Sequence, residues 1–545
     1  MYKRQGENMT TANEITNKLW AMANKLRGTM DASEYKNYIL PFLFYRYLSE
    51  NQDHYLEANH LEDFYEVTDR EEQEEYLEEI SKGLGYAIAP DYTWEKLVKK
   101  IETHKIKASD FQDMFDAFNT NAKRNPTEED DFANVFSDVN LGDTRLGTST
   151  NERAKALNDI VLMINDFAFK DDNGHDVLGD VYEYLIGQFA ANAGKKGGEF
   201  YTPHEVSQIL AKIVTADAHR SQEQFRVYDP AMGSGSLLLT VQKELPGGER
   251  EGSVEFFGQE LNTTTYNLAR MNLMMHDVNY RNMNLRRADT LDADWPYDEK
   301  EGTQIPRKFD AVVANPPYSQ KWETKTIDRE KDVRFKGYGV APASKADYAF
   351  VLHGLYHLDN KGTMAIVLPH GVLFRGASEG KIRKNIIDNN LLDAVIGLPA
   401  NLFYGTSIPT CILVFKGIEA RQKRDVLFID ASNDFVKGKN QNKLSEDNLR
   451  TIIETYTSRK DVEKYAHVAS LDEIKENDYN LNIPRYVDTF EEEEVTPLPV
   501  LAKELKETRA EIEKSTAALF EMFGELRGNS PEINEELAQF RDLLK

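Results

Sequence analysis

Arg226-Val227-Tyr228-Asp229-Pro230-Ala231-Met232-Gly233-Ser234-Gly235-Ser236 decides the fold. A short apolar run, Arg226–Tyr228, stops at a turn with two glycines, and Gly235–Glu244 then reads as a helix. Strand, glycine turn and helix in succession open an α/β unit. The glycines let the backbone come close to a ligand, and the helix start offers N–H groups that lack partners inside the helix. A dinucleotide fingerprint would need a third glycine where Leu238 stands, so pyrophosphate binding is disfavoured. The turn suits a nucleoside that carries an amino-acid tail.

Towards the C-terminus, short apolar runs alternate with helical segments. Val254–Gly258, Phe309–Ala314, Met364–Leu368, Ala394–Leu398, Cys411–Phe415 and Val426–Ile429 read as strands. His204–Val214, Thr263–His276, Asp347–Leu358 and Ser378–Asn389 read as the helices between them. The alternation predicts a parallel, doubly wound α/β sheet in a domain over 171–490. Towards the N-terminus the apolar spacing becomes three and four residues. Glu14–Arg27, Ser33–Tyr47 and Asn151–Asp166 predict a helical domain over 11–170, with Asp63–Lys82 as an acidic, solvated helix. Val177–Ala190 continues the helical pattern up to the breaker cluster Gly194–Gly198. After Pro497, Leu498–Leu526 and Pro531–Leu544 predict a helical tail over 497–545, which either caps the α/β domain or docks a partner.

Composition narrows the class. No apolar run approaches the ~18 residues of a membrane span, and the polar start Met1–Thr10 argues against a secretory signal. The expectation is a cytoplasmic protein with no membrane association. A single cysteine, Cys411, excludes a disulfide framework and a multi-cysteine metal site, and no metal is expected. The net charge of −26 repels a polyanion on average, so nucleic-acid binding would need a local basic groove or a basic partner.

Asn315-Pro316-Pro317-Tyr318 directly follows the predicted strand Phe309–Ala314. The exocyclic nitrogen of adenine is a poor nucleophile because its lone pair is delocalised into the ring. Two acceptors on its two N–H bonds can pyramidalise it and take up the developing positive charge. The Asn315 side-chain oxygen and the Pro316 carbonyl can be those acceptors, while Pro316 and Pro317 hold the turn extended. Tyr318 offers a flat face for an extruded base. The plain alternative is ordinary turn chemistry after a strand.

Three further groups fit a bound nucleoside. Glu260 can accept both ribose hydroxyls, or can be an acid at a helix start. Asp289 can meet an adenine amino group, or can be an N-cap. In Glu199-Phe200-Tyr201-Thr202-Pro203-His204, Thr202 reads as an N-cap with Pro203 at the first helical position. The Phe200–Tyr201 pair can also wall the amino-acid end of the ligand.

Glu199–His204, Asp229–Ser236, Glu260 and Asn315–Tyr318 stand in the order and spacing of the N6-adenine DNA methyltransferases whose cofactor motif precedes the catalytic motif. The chain more closely resembles the modification (methylase) subunit of a type I restriction-modification system. Gly198–Pro203, Asp229–Leu239, Leu268–Leu273 and the long helical N-terminal region carry that resemblance, from about Thr11 to the C-terminal helices. It implies a Rossmann-like methyltransferase domain dependent on S-adenosyl-L-methionine, with an N-terminal helical domain and a C-terminal helical tail. It implies that Glu199–His204, Ser234–Ser236 and Glu260 bind that cofactor, and that Asn315 and Tyr318 hold the target adenine. Asp229, Gly233 and Asp289 complete the candidate cofactor set; Asn315, Pro316, Pro317 and Tyr318 are the candidate catalytic set. The methylsulfonium is already a strong electrophile, so no strongly perturbed base is required. The resemblance further implies double-stranded DNA as substrate, two copies of this chain per specificity subunit, and a restriction (motor) subunit in the larger complex.

Several features test this reading. Gly376–Lys381 is one residue short of a P-loop and continues with Ile382, so the chain is not read as the motor. Between Tyr318 and Ala346, Lys321, Lys325, Arg329, Lys331, Arg334, Lys336 and Lys345 are interspersed with Trp322, Phe335 and Tyr338. This stretch reads either as a loop that orders on DNA or as a solvated surface loop. No segment reads as a recognition domain, so another polypeptide is expected to read the target sequence, with 498–544 as the docking helices. The helical N-terminal domain is expected to close over the duplex. The rivals are methylation of a glutamine side chain and a cofactor-binding scaffold without turnover. Cytosine C5 chemistry is disfavoured because it needs a cysteine nucleophile, and Cys411 reads as core.

Overall fold

Among the described residues, capping and apolar spacing build the N-terminal helices α1 (Ala32–Asn59), α2 (Arg70–Leu84), α3 (Trp94–Glu102), α4 (Ala108–Ala122), α5 (Thr150–Asn165) and α6 (Leu178–Ala193). Asp69 caps α2 by accepting from the amides of Glu71 and Glu72. Ser149 and Glu152 form a reciprocal capping box at the start of α5. The apolar faces meet in an aromatic core, in which Phe115 stacks on Phe136 at 4.6 Å and Phe118 meets Phe136 edge-on at 5.1 Å. The computed structural model describes Trp20 and residues 32–124, 132–167, 178–193, 202–218 and 224–543, apart from gaps at 249, 251, 293–295, 301, 326–327, 404–405, 422, 439–440 and 490–496. The expected helix Glu14–Arg27 therefore lies outside the described residues, Trp20 excepted.

After α7 (His204–Thr215), strands and helices alternate. They run β1 (Phe225–Asp229), α8 (Ser236–Glu244), β2 (Val254–Glu260), α9 (Thr263–Met275), β3 (Met283–Arg287) and the hairpin β4 (Tyr297–Lys300) and β5 (Thr303–Pro306). Then come β6 (Phe309–Ala314), α10 (Asp347–His357), β7 (Leu358–Pro369), α11 (Ala377–Asp388), β8 (Leu392–Gly397), β9 (Thr410–Lys416) and β10 (Asp425–Asp430). The short β11 (Val436–Lys437) and β12 (Asn442–Lys443), α12 (Glu446–Ser458), β13 (Ala466–Ser470) and α13 (Leu471–Glu476) complete this unit. Nine strands form one sheet, in the order β13-β10-β8-β9-β7-β6-β1-β2-β3. Its central strands are covered on both faces and are apolar over most of their length; β8 is buried from end to end. Cys411 is core, as expected, buried in β9.

The expected α/β sheet is present, and around its parallel core it is mixed rather than parallel throughout. β9 runs antiparallel to both β7 and β8, and β13 antiparallel to β10. A parallel neighbour needs a crossover, usually helical. The described residues of 398–409, which join β8 to β9, hold no helix, so the chain turns straight back.

The described residues of the Tyr318–Ala346 stretch differ from a solvated surface loop. Trp322 and Phe335 are buried edge-on at 5.7 Å, and Ala346 N–H donates to the Gln320 carbonyl at 2.8 Å, closing the loop at its base. The Arg334 side chain is 0% exposed and pairs with Asp332 at 2.6 Å. It also donates to the carbonyls of Thr290 at 2.8 Å and Leu291 at 3.0 Å. A guanidinium tolerates such burial only because its N–H groups find acceptors. The loop is thus packed onto the body, while Lys321, Lys325, Lys331 and Lys336 stay exposed on it.

Residues Thr489–Lys545 form a second compact unit. It contains α14 (Leu498–Glu525) and α15 (Pro531–Leu543), whose Phe523 and Phe540 rings meet at 5.5 Å. Leu501, Leu505, Ile512 and Leu519 repeat at four- and seven-residue spacing along α14, and all are exposed. Among the described residues, no helix is long and apolar enough to cross a membrane.

Arg334→Met should destabilise the protein by about 3–5 kcal/mol, because it strands the Asp332 carboxylate in the core. Pairing it with Asp332→Leu should restore most of the loss. Urea midpoints of the three proteins measure this, and equal midpoints for wild type and Arg334→Met would refute it.

Candidate functional site

Strand direction brings the separate motifs to one edge. β1 pairs in parallel with β2, Asp229 opposite Gly258, and with β6, Tyr228 opposite Val312. β6 in turn runs parallel to β7, with Ala314 opposite Ile366. The chain therefore leaves β1, β2 and β6 on the same side, the carboxyl end where open α/β sheets bind ligands.

The glycine turn is held from below. Met232 N–H donates to the Gln259 carbonyl at 2.9 Å, and Thr290 Oγ1 donates to the Pro230 carbonyl at 2.5 Å. Gly235 has φ +76°, and a Cβ there would stand 2.5 Å from Leu273 of α9, so only glycine lets α8 start this close. Gly233 has φ +55°, and nothing lies within 4 Å of where its Cβ would be. Asn272 of α9 donates to the Ser234 carbonyl at 2.9 Å, and the hydroxyls of Ser234 and Ser236 are 3.2 Å apart. Asp229 is buried, and one of its oxygens accepts from Ala231 N–H at 2.9 Å. Burial pushes its carboxyl up to about 8, the charge of Glu260 acts the same way, and the Ala231 bond opposes both.

Asn315, 7% exposed, stands where β6 ends. Its Nδ2 donates to Thr202 Oγ1 at 3.0 Å, and its Oδ1 accepts from the Tyr318 hydroxyl at 2.7 Å. Thr202 is therefore not the expected N-cap. Pro203 takes that position without a side-chain bond and His204 opens the helix, because the threonine hydroxyl is engaged with Asn315. Tyr318 is half-buried, edge-on to Phe403 at 6.0 Å, and burial holds its phenol well above the usual range. Behind the turn, Ser319 N–H donates to Asp347 at 2.7 Å, and Arg375 pairs with the same carboxylate.

These elements share one cavity of about 700 Å³. Gly233 and Ser234 line it from the first turn, Glu260 and Asp289 from the strand ends beside it, and Asn315 and Pro317 from the Asn-Pro-Pro-Tyr turn. Glu260 accepts from Asn262 N–H at 2.8 Å, and Asp289 from Leu291 N–H at 3.0 Å. Asp229, Gly235, Ser236, Pro316 and Tyr318 are not among the lining residues, and Thr202 bonds to one of them, Asn315. His204 is exposed at the start of α7. Glu199, Phe200 and Tyr201 lie outside the described residues. Sequence reasoning missed a wall: Lys36 and Leu40 of α1 and Ile186 and Ala190 of α6 face the same space. Their helical spacing signals only core, since nothing local marks a wall contributed from so far along the chain. Trp322, singled out from the sequence as part of the basic and aromatic stretch after Tyr318, also lines this cavity.

Residues 173–495 match the N-6 DNA Methylase family, and residues 15–164 match the HsdM N-terminal domain. The type I restriction enzyme MpnII methylase subunit of Mycoplasma pneumoniae is 40% identical over 513 residues, 91% of this chain and 93% of that one. The type I restriction enzyme MjaVIII methylase subunit of Methanocaldococcus jannaschii is 35% identical over 68% of this chain and 63% of its own length. The solved structure of the type I restriction-modification system methyltransferase subunit from Streptococcus thermophilus matches with a TM-score of 0.78 at 43% identity, covering 88% of this chain and 100% of that chain. The glycine turn and the Asn-Pro-Pro-Tyr turn thus meet at one cavity in a chain that matches methylases along most of its length: it belongs to the N-6 DNA methylase family, as a methyltransferase of the type I restriction-modification methylase-subunit group.

Proposed function

We propose that this chain transfers a methyl group from S-adenosylmethionine to the exocyclic amino group of an adenine flipped out of duplex DNA. What carries the reading is Asn315, fixed between Thr202 and Tyr318, opening onto the same cavity as Gly233, Ser234, Glu260 and Asp289. The residues fit the cofactor. The space above Gly233 is open, a carboxylate for a ribose stands at the end of β2, and the volume falls in the ~300–1,000 Å³ range of small-molecule sites. Gly233, Ser234, Glu260 and Asp289 would hold it, with Asp229, Gly235 and Ser236 shaping the turn and Glu199–His204 closing the amino-acid end. Bound there, S-adenosylmethionine supplies a methyl group already activated by its positive sulfur.

Asn315 Oδ1 and the Pro316 carbonyl accept the two N–H bonds of the adenine amino group. An amide oxygen has two lone pairs, so Asn315 can keep the Tyr318 hydroxyl and still accept from the base. Tyr318 supports the base by stacking.

Target recognition belongs to a separate specificity subunit, with two copies of this chain per copy of it and a restriction subunit joining the larger complex. The exposed apolar stripe Leu501, Leu505, Ile512 and Leu519 on α14 supports docking by segment 497–545. Segment 11–170 acts as a helical domain closing over the duplex, and 171–490 as the catalytic domain. The setting is the cytoplasm.

Asn315→Ala should lower methyl transfer by about 10²-fold or more, the scale of losing one preorganised group, while cofactor affinity stays at the wild-type level. Equal loss of cofactor binding, measured by calorimetry, would overturn this division of roles. Labelled methyl should reach unmethylated DNA as N6-methyladenine only when a specificity subunit is co-expressed; label with this chain alone would defeat the separate-recognition reading. The Asp229 carboxyl has an ordinary value of 3.8 and rises to about 8 on folding. Between those values the folded chain keeps a proton that the unfolded chain has lost, so stability falls as pH rises through that window. Asp229→Asn should flatten that part of the urea-midpoint profile; parallel profiles would refute it.

A further inference from the structure

A net charge of −26 still has to meet a polyanion. On the sheet edge that carries Asn315, past the end of β7, a second cleft of about 440 Å³ opens between Phe374–Lys384 and Asn477–Arg485. Lys381, Arg383, Lys384 and Arg485 line it against one carboxylate, Asp478. Leu481 N–H donates to the Leu373 carbonyl at 2.9 Å and joins the two walls. Arg383 spends its guanidinium on the same task, donating to the carbonyls of Tyr479 at 2.7 Å, Arg375 at 2.9 Å and Val372 at 3.1 Å. Lys384 lies over the Tyr479 ring at 4.5 Å and pairs with Asp388. Lys381 and Arg485 are exposed, and Phe374 is 48% exposed beside them. The cleft is tied to the catalytic turn, because Arg375, next to Phe374, pairs with the Asp347 carboxylate that holds Ser319 N–H. At the opposite edge of the sheet, a cleft of about 560 Å³ balances Lys361, Lys416, Arg421, Lys423 and Arg459 against Asp217, Asp310, Asp393, Glu419 and Asp425, and so has no preference for an anion.

We propose that the cationic cleft holds the DNA backbone flanking the target adenine, with Lys381 and Arg485 on phosphates and Phe374 against a deoxyribose. This rests on the reading of the chain as a DNA methyltransferase. Backbone contacts position a duplex without reading its sequence, which suits a chain whose target is read elsewhere.

The test uses the complex of this chain with its specificity subunit and a fluorescently labelled duplex, titrated across a salt series. Lys381→Glu with Arg485→Glu should lower the slope of log affinity against log salt by about 2, about one per phosphate contact, and weaken low-salt binding about tenfold or more. S-adenosylmethionine binding should stay unchanged. The same reversal at the opposite cleft, Lys361→Glu with Lys423→Glu, should leave the slope alone, which separates contact from mean charge. Phe374→Ala should weaken binding without altering the slope. An unchanged slope in the first variant overturns the proposal, and so does an equal fall in both reversals. Failure of the first variant to assemble would make the cleft a protein interface instead. A wild-type complex that binds no DNA would overturn the underlying reading of DNA as substrate and the cleft proposal with it, whereas an unchanged slope in a complex that does bind DNA overturns the cleft alone.

Discussion

Parallel pairing of β1 with β6 is the constraint on which the site depends. The two strands lie far apart in the chain, yet Val227 stands opposite Ala311 and Tyr228 opposite Val312. Both chains therefore emerge at the same edge, one into Asp229–Ser236 and the other into Asn315–Tyr318. Had either strand run the other way, the glycine turn and the asparagine would lie at opposite ends of a buried sheet. Gly258 and Gly235 refine this arrangement by close approach. A Cβ on Gly258 would fall 2.3 Å from Met232 Sδ, and one on Gly235 would meet Leu273. Such packing sets the depth of the turn over the strands.

Buried polar groups then hold the loops that the strands deliver. Asp347 takes the amide after the Asn-Pro-Pro-Tyr turn and is itself held by Arg375. Arg334 fixes Thr290 and Leu291 on the cavity wall and donates towards His353, whose other nitrogen meets Tyr228 of β1 at 2.7 Å. Burial, with the nearby His357 and Arg334 charges, holds His353 well below the usual imidazole value, so it serves as a neutral link. Removing one member of such a set leaves another unsatisfied in a medium of low polarity. Loops that would otherwise be free to drift are thereby fixed to the sheet.

Much of this was legible in order along the chain. The strands β1, β2, β6 and β8–β10 announce themselves as apolar runs because both faces of the sheet are covered. β3 did not: Met283-Asn284-Leu285-Arg286-Arg287 is an edge strand with one covered side, and its composition matches a loop. The antiparallel insertion of β9 was equally hidden, since Cys411–Phe415 reads the same in either direction. The aromatic residues after the Asn-Pro-Pro-Tyr turn read as part of a solvated or DNA-ordered loop, but Trp322 and Phe335 are buried against one another, and Trp322 also lines the cavity. Apolar area removed from water is rewarded wherever it finds cover, and sequence does not say where the cover is.

The sequence by itself determined the chemistry on offer: an asparagine held between a strand and two prolines, a turn with glycines where backbone must approach a ligand, and carboxylates at strand ends. These are local properties, set by which side chain follows which. Only the tertiary structure decided which groups share a space. It brought Thr202 to Asn315 across 113 positions, put Lys36 and Ile186 of the N-terminal helices on the cavity at the strand ends, and kept Tyr318 and Asp229 from lining it. It also left Lys381 and Arg485 beside Phe374 on the edge of the sheet that carries Asn315, in a chain of net charge −26. Proximity of this kind follows from strand direction and from the packing of faces, and those depend on every residue that competes for burial.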